Sequence, residues 1–190
     1  MIEAKPSDAM RECGIVQSSA QSLREQCRSL ELPGERSLAD TIIAELVAAT
    51  HRVREVHDFA KGMGIAAPQI GIHRRAAVVR PPDAQAPSIV LLNPRIVSHS
   101  ETEDEQYEGC LSFFDVRGLV PRPLSIMVET TTPTGQTQTT EYRNGLARLV
   151  HHEIDHLDGI LYTARMRADA QPIPVEQYRQ TGNSWIYNHQ

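Results

Sequence analysis

The stretch Leu149-Val150-His151-His152-Glu153-Ile154-Asp155-His156-Leu157-Asp158-Gly159 contains an H-E-x-x-H pattern. Each residue of an α-helix turns the chain by roughly 100°, so His152 and His156 lie one turn apart on one face and can bind the same metal ion. Glu153 follows the first histidine and can act as a general base on water. The alternative is an exposed helix with scattered histidines and acids. Three apolar residues on one side of the segment favour a packed helix instead: Leu146, Leu149 and Val150.

A third ligand decides the class of site, because catalytic zinc-type sites usually have three protein ligands and one position for water. The metzincin pattern would place a third histidine at position 162, but that residue is Tyr162. Other H-E-x-x-H proteases take their third ligand, a glutamate, from a later helix. Glu176 lies further downstream, but its neighbours do not predict a helix at that point. The third ligand is therefore expected upstream. Cys110, in the stretch Glu108-Gly109-Cys110-Leu111-Ser112, is one candidate, and a buried structural cysteine is the alternative.

The composition is that of a globular protein. The chain has 190 residues, 40% of them apolar, and a net charge of −5, which suits one domain with one core. No apolar run approaches the ~20 residues that span a bilayer, and no signal-peptide pattern is present, so we expect a cytoplasmic protein with no membrane association. The sequence contains no block of lysine and arginine, which argues against a nucleic-acid-binding face. Three cysteines do not form a disulfide framework: Cys13, Cys27 and Cys110.

The hydrophobic pattern predicts the order of elements along the chain. We expect a flexible N-terminus over 1–14 and a tail over 167–190 with at most one short helix. A helix is predicted over about 38–60, with a capping-box-like start at Ser37 and Asp40. The acidic segment 101–108 is predicted to be a solvated loop. The predicted strands are 75–80, 88–93, 95–100, 116–119, 124–130 and 136–143.

The segment Gly62-Met63-Gly64-Ile65-Ala66-Ala67-Pro68-Gln69-Ile70-Gly71 is too rich in small residues for a regular helix. Small residues allow the backbone to approach another group closely. The segment is therefore either a tight turn in the core or a ligand-facing edge with free backbone groups. Gln69 favours the second interpretation, because its amide could donate a hydrogen bond into a site.

Three stretches, in this order along the chain, together resemble the motifs of peptide deformylase: Gly62–Gln69, Glu108–Ser112 and His152–His156. The family motifs are G-φ-G-φ-A-A-x-Q, E-G-C-φ-S and H-E-x-x-H. The resemblance extends from about Ile15 to Met166 and implies a catalytic domain over 15–166. It implies an α+β fold with antiparallel β-sheets packed around a central, metal-binding H-E-x-x-H helix. It also implies ferrous iron as the natural metal, with zinc, nickel or cobalt able to occupy the site.

The resemblance also implies a role for each motif residue. Cys110, His152 and His156 would be the metal ligands, and Glu153 the general acid and base. Gln69 and the N–H of Leu111 would hold the oxyanion, and the backbone near Gly64 and Ile65 would pair with an extended substrate. The full set of implied substrate contacts is Gly64, Ile65, Glu108, Gly109, Phe113, Arg117, Gly145 and Leu149.

The implied activity is removal of the N-formyl group from the N-terminal methionine of newly made polypeptides, with release of formate. The implied partners are N-formylmethionyl peptides, including nascent chains at the ribosome. Three departures from the usual pattern concern substrate preference: Phe113-Phe114 replaces an aliphatic-proline pair, His151 replaces glutamine and Gly145 replaces a bulky residue. The alternatives are a paralogue with altered substrate, in a specialised pathway or in inhibitor resistance, a metalloprotease, and an inactive homologue that only binds.

Overall fold

A computed structural model describes residues 5–83 and 85–179. The helices of this part of the chain are α1 (Pro6–Glu12), α2 (Arg36–Val56), α3 (Asn144–Leu157) and α4 (Val175–Arg179), with short 3₁₀ turns at Gln21–Arg24, Ala67–Ile70 and Tyr162–Arg165. The strands are β1 (Met63–Ala66), β2 (Ala76–Arg80), β3 (Ile89–Leu92), β4 (Arg95–His99), β5 (Glu103–Cys110), β6 (Phe113–Pro123), β7 (Ser125–Thr131), β8 (Thr137–Arg143) and β9 (Ile173–Pro174).

The strands form three antiparallel sheets, in the orders β1-β2-β3, β4-β7-β8 and β5-β6-β9. Helix α3 contacts strands of all three sheets, and most of its residues are buried. One apolar core lies between α2 and the β1-β2-β3 sheet, and a second lies between α3 and strands β2, β3 and β7. The predicted α+β class, with antiparallel sheets around the H-E-x-x-H helix, is confirmed.

Helix α2 forms because one stripe of its residues is apolar at helical spacing. Ala39, Ile42, Leu46, Ala49 and Val53 are all buried along that stripe. The helix was predicted at about 38–60, but it ends at residue 56, and the next residues turn toward β1. The predicted capping box is wrong, because the N-cap is residue 35 and its side chain makes no capping hydrogen bond.

Strand β5 corrects the prediction of a solvated loop over 101–108. From residue 103 onward the chain pairs with β6, and Tyr107 faces Leu119 across the hairpin. The acidic side chains of this strand have arginine partners from distant parts of the chain. Asp104 pairs with Arg148, and Glu105 pairs with Arg167. The high local count of acids had predicted a solvated loop. The remote arginine partners neutralise these acids and thereby stabilise a half-buried strand.

The N-terminal helix α1 corrects the prediction of a flexible segment over 1–14. Met10 is buried on the underside of α1 and joins the core against α2. Ser7 anchors the first turn to β6, because its N–H and its hydroxyl both donate to the Asp115 carboxylate, at 2.8 and 2.6 Å. Residues 1–4 lie outside the described part of the chain.

Over residues 167–179, the described part of the tail, there is one short helix, α4. This part of the tail also packs back onto the sheets, because β9 pairs with β6 at Val116 and Arg117. Residues 180–190 lie outside the described residues, and the domain boundaries at 14 and 166 stay predictions. Within 5–83 and 85–179, none of the helices combines the length and the apolar character needed to cross a bilayer.

Candidate metal and active site

Three buried side chains converge on one point. His152 and His156 lie one turn apart on α3, and Cys110 is the last residue of β5. Their potential ligand atoms all lie within 4.8 Å of one another, and the Cys110 Sγ is 3.2 Å from the His156 Nε2. The regular register of the β5–β6 hairpin is interrupted between Glu108 and Cys110. The structure therefore places Cys110, the upstream candidate for the third ligand, beside the two histidines.

The electrostatics of Cys110 favour the thiolate. Burial alone would raise the pKa of this thiol, but the neighbouring His156 and His152 lower it to about 5. The thiolate is the form of cysteine that binds metals. One thiolate and two imidazoles are a donor set that suits a divalent transition metal. These residues therefore fit the metal that the sequence motif implies.

The two downstream positions considered for the third ligand, Tyr162 and Glu176, lie outside the donor cluster. Tyr162 packs against the site, because its ring is stacked on that of His152 with centroids 6.0 Å apart and an interplanar angle of 24°. Its hydroxyl is buried and has no hydrogen-bond partner among the described residues. Glu176 is exposed on α4. Neither belongs to the donor cluster.

Glu108 holds His152 in position. The Nδ1 of His152 is 3.0 Å from the Glu108 Oε2. Burial would lower the pKa of His152, but the Cys110 thiolate and the Glu108 carboxylate raise it well above its usual value. Partners of this kind fix the orientation of a metal-binding imidazole and increase its basicity. Glu108 therefore acts behind the donor cluster.

A buried ion network extends from Glu108. Arg122 donates to both Glu108 oxygens, at 2.9 and 3.0 Å, and to Asp155 at 2.6 Å. Arg148 donates to Glu108 at 2.7 Å, and Arg165 donates to Asp155 at 2.7 Å. The roles of Arg148, Asp155 and Arg165 could not be predicted from the sequence, because the partners of a buried ion pair leave no local pattern.

Glu153 is buried opposite a glycine. A Cβ added to Gly64 would lie 2.6 Å from the Glu153 Cδ, so a larger residue would displace the carboxyl group. The Glu153 Oε2 has no hydrogen-bond partner among the described residues. Burial is the main cause that raises the pKa of Glu153 to about 7. A carboxyl group with such a pKa can both accept and release a proton at neutral pH.

Gln69 directs its amide toward the same point. It lies in the 3₁₀ turn after β1, where its Oε1 accepts a hydrogen bond of 2.9 Å from the N–H of Ala66. The side chain is thereby fixed with its Nε2 donors toward Ser112, at 3.2 Å, and the Cys110 Sγ, at 3.6 Å. Of the two interpretations of the glycine-rich segment, the ligand-facing edge agrees with this geometry.

A cavity of about 290 Å³ opens onto these groups. Among the sequence-predicted residues, Gln69, Cys110, Leu111, His152 and Glu153 line it, together with Gly64, Gly109, Arg117 and Leu149. Four predicted substrate contacts do not line it: Ile65, Glu108, Phe113 and Gly145. Phe114 lines the cavity, whereas the predicted contact Phe113 does not. The substrate contacts, and the effect of Gly145 on preference, stay predictions.

A second part of the cavity wall was not predicted from the sequence. It consists of residues 57–61 after α2 and three tail residues, none of which belongs to the three motifs: Val175, Tyr178 and Arg179. No sequence signal marks them, because β9 has only two residues and α4 only five. The pairing of β9 with β6 brings the three tail residues to the site.

A Cys-His-His donor cluster beside a buried glutamate, on a helix enclosed by antiparallel sheets, defines a metal-dependent hydrolase. Residues 13–171 match the family model described as polypeptide deformylase. The chain belongs to this family, whose members are enzymes that remove the N-formyl group from newly made polypeptides.

Named relatives and solved structures agree with this membership. The chain is 34% identical to peptide deformylase 2 of Nostoc sp. over 173 residues, 87% of this chain and 92% of that protein. It is 38% identical to a peptide deformylase of Roseiflexus castenholzii over 159 residues, 76% and 81% of the two chains. A class I type b peptide deformylase from Acinetobacter baumannii superposes with a TM-score of 0.71 at 29% identity, over 80% of this chain and 97% of that one.

Proposed function

We propose that this chain is a ferrous peptide deformylase that acts on N-formylmethionyl chains, with Cys110, His152 and His156 as its metal ligands. The observation that carries the proposal is that these three donors cluster at the wall of one cavity, which Cys110, His152, Glu153 and Gln69 line. Zinc, nickel or cobalt can use the same donor set. A divalent metal, when bound, supplies Lewis acidity that activates water and polarises a carbonyl group.

The edge of β1 would hold the substrate. The strand order places β1 at one end of its sheet, and Gly64 of this strand lines the cavity. Backbone groups on such an edge can pair with an extended peptide as an added strand. The first residue of the peptide would then lie between β1 and the donor cluster, with its formyl group directed toward Glu153.

Glu153 would transfer the protons, and two hydrogen-bond donors, Gln69 and the N–H of Leu111, would stabilise the developing charge. As water attacks the formyl carbon, Glu153 accepts the proton and passes it to the departing amine nitrogen as the C–N bond breaks. The Nε2 of Gln69 and the N–H of Leu111 donate to the developing oxyanion, and one such donor is typically worth about 3–4 kcal/mol. The products are formate and a free N-terminus.

The experiment is Glu153→Gln in protein prepared without air. Formate release from a formyl-Met-Ala-Ala amide should fall by at least about 10²-fold, because the general acid and base is lost. Elemental analysis should find unchanged metal, because Glu153 is not a ligand. Glu101→Gln, the same change at an exposed position, is the matched control. Near-normal turnover in Glu153→Gln would remove Glu153 from the mechanism.

The same assay separates the remaining alternatives. Casein digestion without formate release would indicate a metalloprotease, and formyl-peptide binding without turnover by metal-replete protein would indicate an inactive homologue. Formate release limited to peptides without N-terminal formylmethionine would indicate a specialised paralogue. Because the proposed substrates are newly made chains, we infer that the enzyme acts in the cytoplasm, on nascent chains at the ribosome.

A further inference from the structure

Part of the cavity wall lies outside the three motifs and is called the outer wall here. Its polar and charged residues include Lys61, Arg117, Tyr178 and Arg179. Tyr178 of α4 packs edge-on against Tyr107 of β5, with ring centroids 5.5 Å apart. The ammonium group of Lys61 lies 5.0 Å from the Tyr178 ring centroid and also hydrogen-bonds its hydroxyl. Because β9 pairs with β6 at Arg117, α4 is held beside that residue. The outer wall is therefore a built part of the fold that the three sequence motifs do not contain.

This outer wall carries more positive than negative charge. Among the described residues of this wall, the cations are Lys61, Arg117 and Arg179, and the one carboxylate is that of Asp58. Burial is the main cause that lowers the pKa of the nearby His57, and the charges of Arg117 and Arg179 lower it further. The two guanidinium groups thus act on the same region. The excess of positive charge would attract an anionic group.

Arg117 has the geometry for binding that anion. Its Nη1 donates to the main-chain oxygens of Phe114 and Val116, both at 2.8 Å, and its guanidinium lies 4.9 Å from the Phe114 ring centroid. Within the described part of the chain, Arg117 forms no ion pair, and its Nε and Nη2 donate to no protein acceptor. These two donors are the side of a guanidinium that binds a carboxylate through two parallel hydrogen bonds.

The position of Arg117 limits which carboxylate can reach it. Its side chain crosses Gly109, where an added Cβ would lie 2.6 Å from the Arg117 Cζ, and Gly109 precedes the donor residue Cys110. An extended peptide advances only ~3.3 Å per residue. A substrate with its formyl group at the donor cluster can therefore present only its first few residues to Arg117.

We propose that the outer wall binds a carboxylate carried by the second or third residue of the formylated substrate. The carboxylate is either an acidic side chain or the free C-terminus of a short formyl peptide. The inference rests on the proposed deformylation and deepens it by naming a preferred substrate class. Arg117 provides the two-donor contact, and Arg179 and Lys61 provide the surrounding positive charge.

The test compares kcat/KM for formate release within matched pairs of peptides. Formyl-Met-Glu-Ala amide is compared with formyl-Met-Gln-Ala amide, and formyl-Met-Ala-Glu amide with formyl-Met-Ala-Gln amide. Formyl-Met-Ala with a free carboxyl group is compared with its amide, which separates the C-terminal source from the side-chain source. We expect about a tenfold preference for the acidic member of at least one pair, as for a hydrogen-bonded charged contact. The preference should decrease with added salt.

Variants then assign the preference to the outer wall. Arg117→Gln should reduce it to about twofold or less, and Arg179→Gln, a change at an exposed residue, should reduce it partly. Arg54→Gln removes the same charge from an exposed position outside this cavity and should keep the preference of the parent. Because each preference is a ratio within one protein, a general loss of activity in a variant does not affect it.

The outcomes separate the inference from the proposed function. Equal rates for the acidic and neutral members of every pair would overturn the carboxylate site and leave deformylation intact. A preference that both Arg117→Gln and Arg179→Gln retain would also overturn it. Absence of formate from all of the peptides, in metal-replete protein, would overturn the proposed function and the inference with it.

Discussion

Gly64 lies directly against Glu153, the proposed general acid and base. A methyl group there would lie 2.6 Å from both the Cδ and the Cγ of Glu153, well inside normal contact. Because Glu153 is itself buried, its carboxyl group cannot move away without leaving the reactive position. The requirement for glycine at this point thus comes from close approach, since its backbone does not have a positive φ.

We therefore expect Gly64→Ala to lower kcat by about 10- to 100-fold, the range associated with misplacement of a catalytic group by ~1 Å. Formate release measures the rate, and elemental analysis should show that metal is retained. Gly34→Ala is the matched control, because its added Cβ would lie 3.3 Å from one main-chain oxygen in a loop away from the cavity. An unchanged kcat in Gly64→Ala would show that Glu153 does not need its present position.

Arg122 is the central cation of the buried ion network. It is 1% exposed, and its guanidinium pairs with Glu108 and Asp155, which are also buried. Removal of one member of a buried ion pair leaves the other charge uncompensated, which typically costs about 3–5 kcal/mol. Arg122→Met should therefore lower the free energy of unfolding by that amount, as measured by chemical denaturation.

An exposed ion pair provides the comparison. Arg143 pairs with Glu141 on β8, and its side chain is 70% exposed. Such pairs contribute at most about 1 kcal/mol, so Arg143→Met should have little effect. Equal losses in Arg122→Met and Arg143→Met would contradict a stabilising role for the buried network.

At the scale of elements, the sequence was most informative where an element has its own periodic pattern. The apolar stripe of α2 and the H-E-x-x-H turn of α3 each lie within one continuous segment, and both were predicted. The strands of β2, β3, β4 and β7 were predicted for the same reason. Their apolar residues and the proline or glycine at their ends are local signals.

The elements that the sequence did not predict depend on remote partners. Strand β5 is acidic, and its stability depends on cations such as Arg148, which is 44 residues from Asp104 in the chain. Helix α1 depends on Asp115, which is 108 residues from Ser7. A composition-based reading cannot include contacts over such separations, so it assigned both segments to flexible or solvated structure.

The candidate site divides in the same way. Its ligands and Glu153 lie in short motifs, which made them predictable from the sequence. The outer wall consists of Lys61 and Arg117 together with Tyr178 and Arg179, and the two tail residues reach it through the pairing of β9 with β6. Of the four, only Arg117 was predicted from the sequence. If the proposed carboxylate site is correct, substrate preference depends on this wall and could not be read from the motifs alone.

At the scale of the whole molecule, the donor cluster joins two parts of the fold. Cys110 is the last residue of β5 and packs in a small core with Val120 and Tyr162. The two histidines belong to α3, which is buried in a different core, against β2, β3 and β7. A metal held by all three donors would therefore connect the β5–β6 hairpin to α3, and metal binding should stabilise the folded state as a whole.

We expect a chelator to lower the melting temperature of the metal-replete parent. A ligand present at 100 times its dissociation constant stabilises the native state by about 2.7 kcal/mol, which corresponds to roughly 5–10 °C for a chain of this size. Cys110→Ala should melt at one temperature with or without chelator, because one donor is lost. Cys27→Ala removes another buried thiol, one that does not belong to the donor cluster, and should keep the full chelator effect even if its melting temperature is lower. A chelator effect of equal size in Cys110→Ala would show that Cys110 is not a ligand and that the metal connects α3 to some other part of the fold.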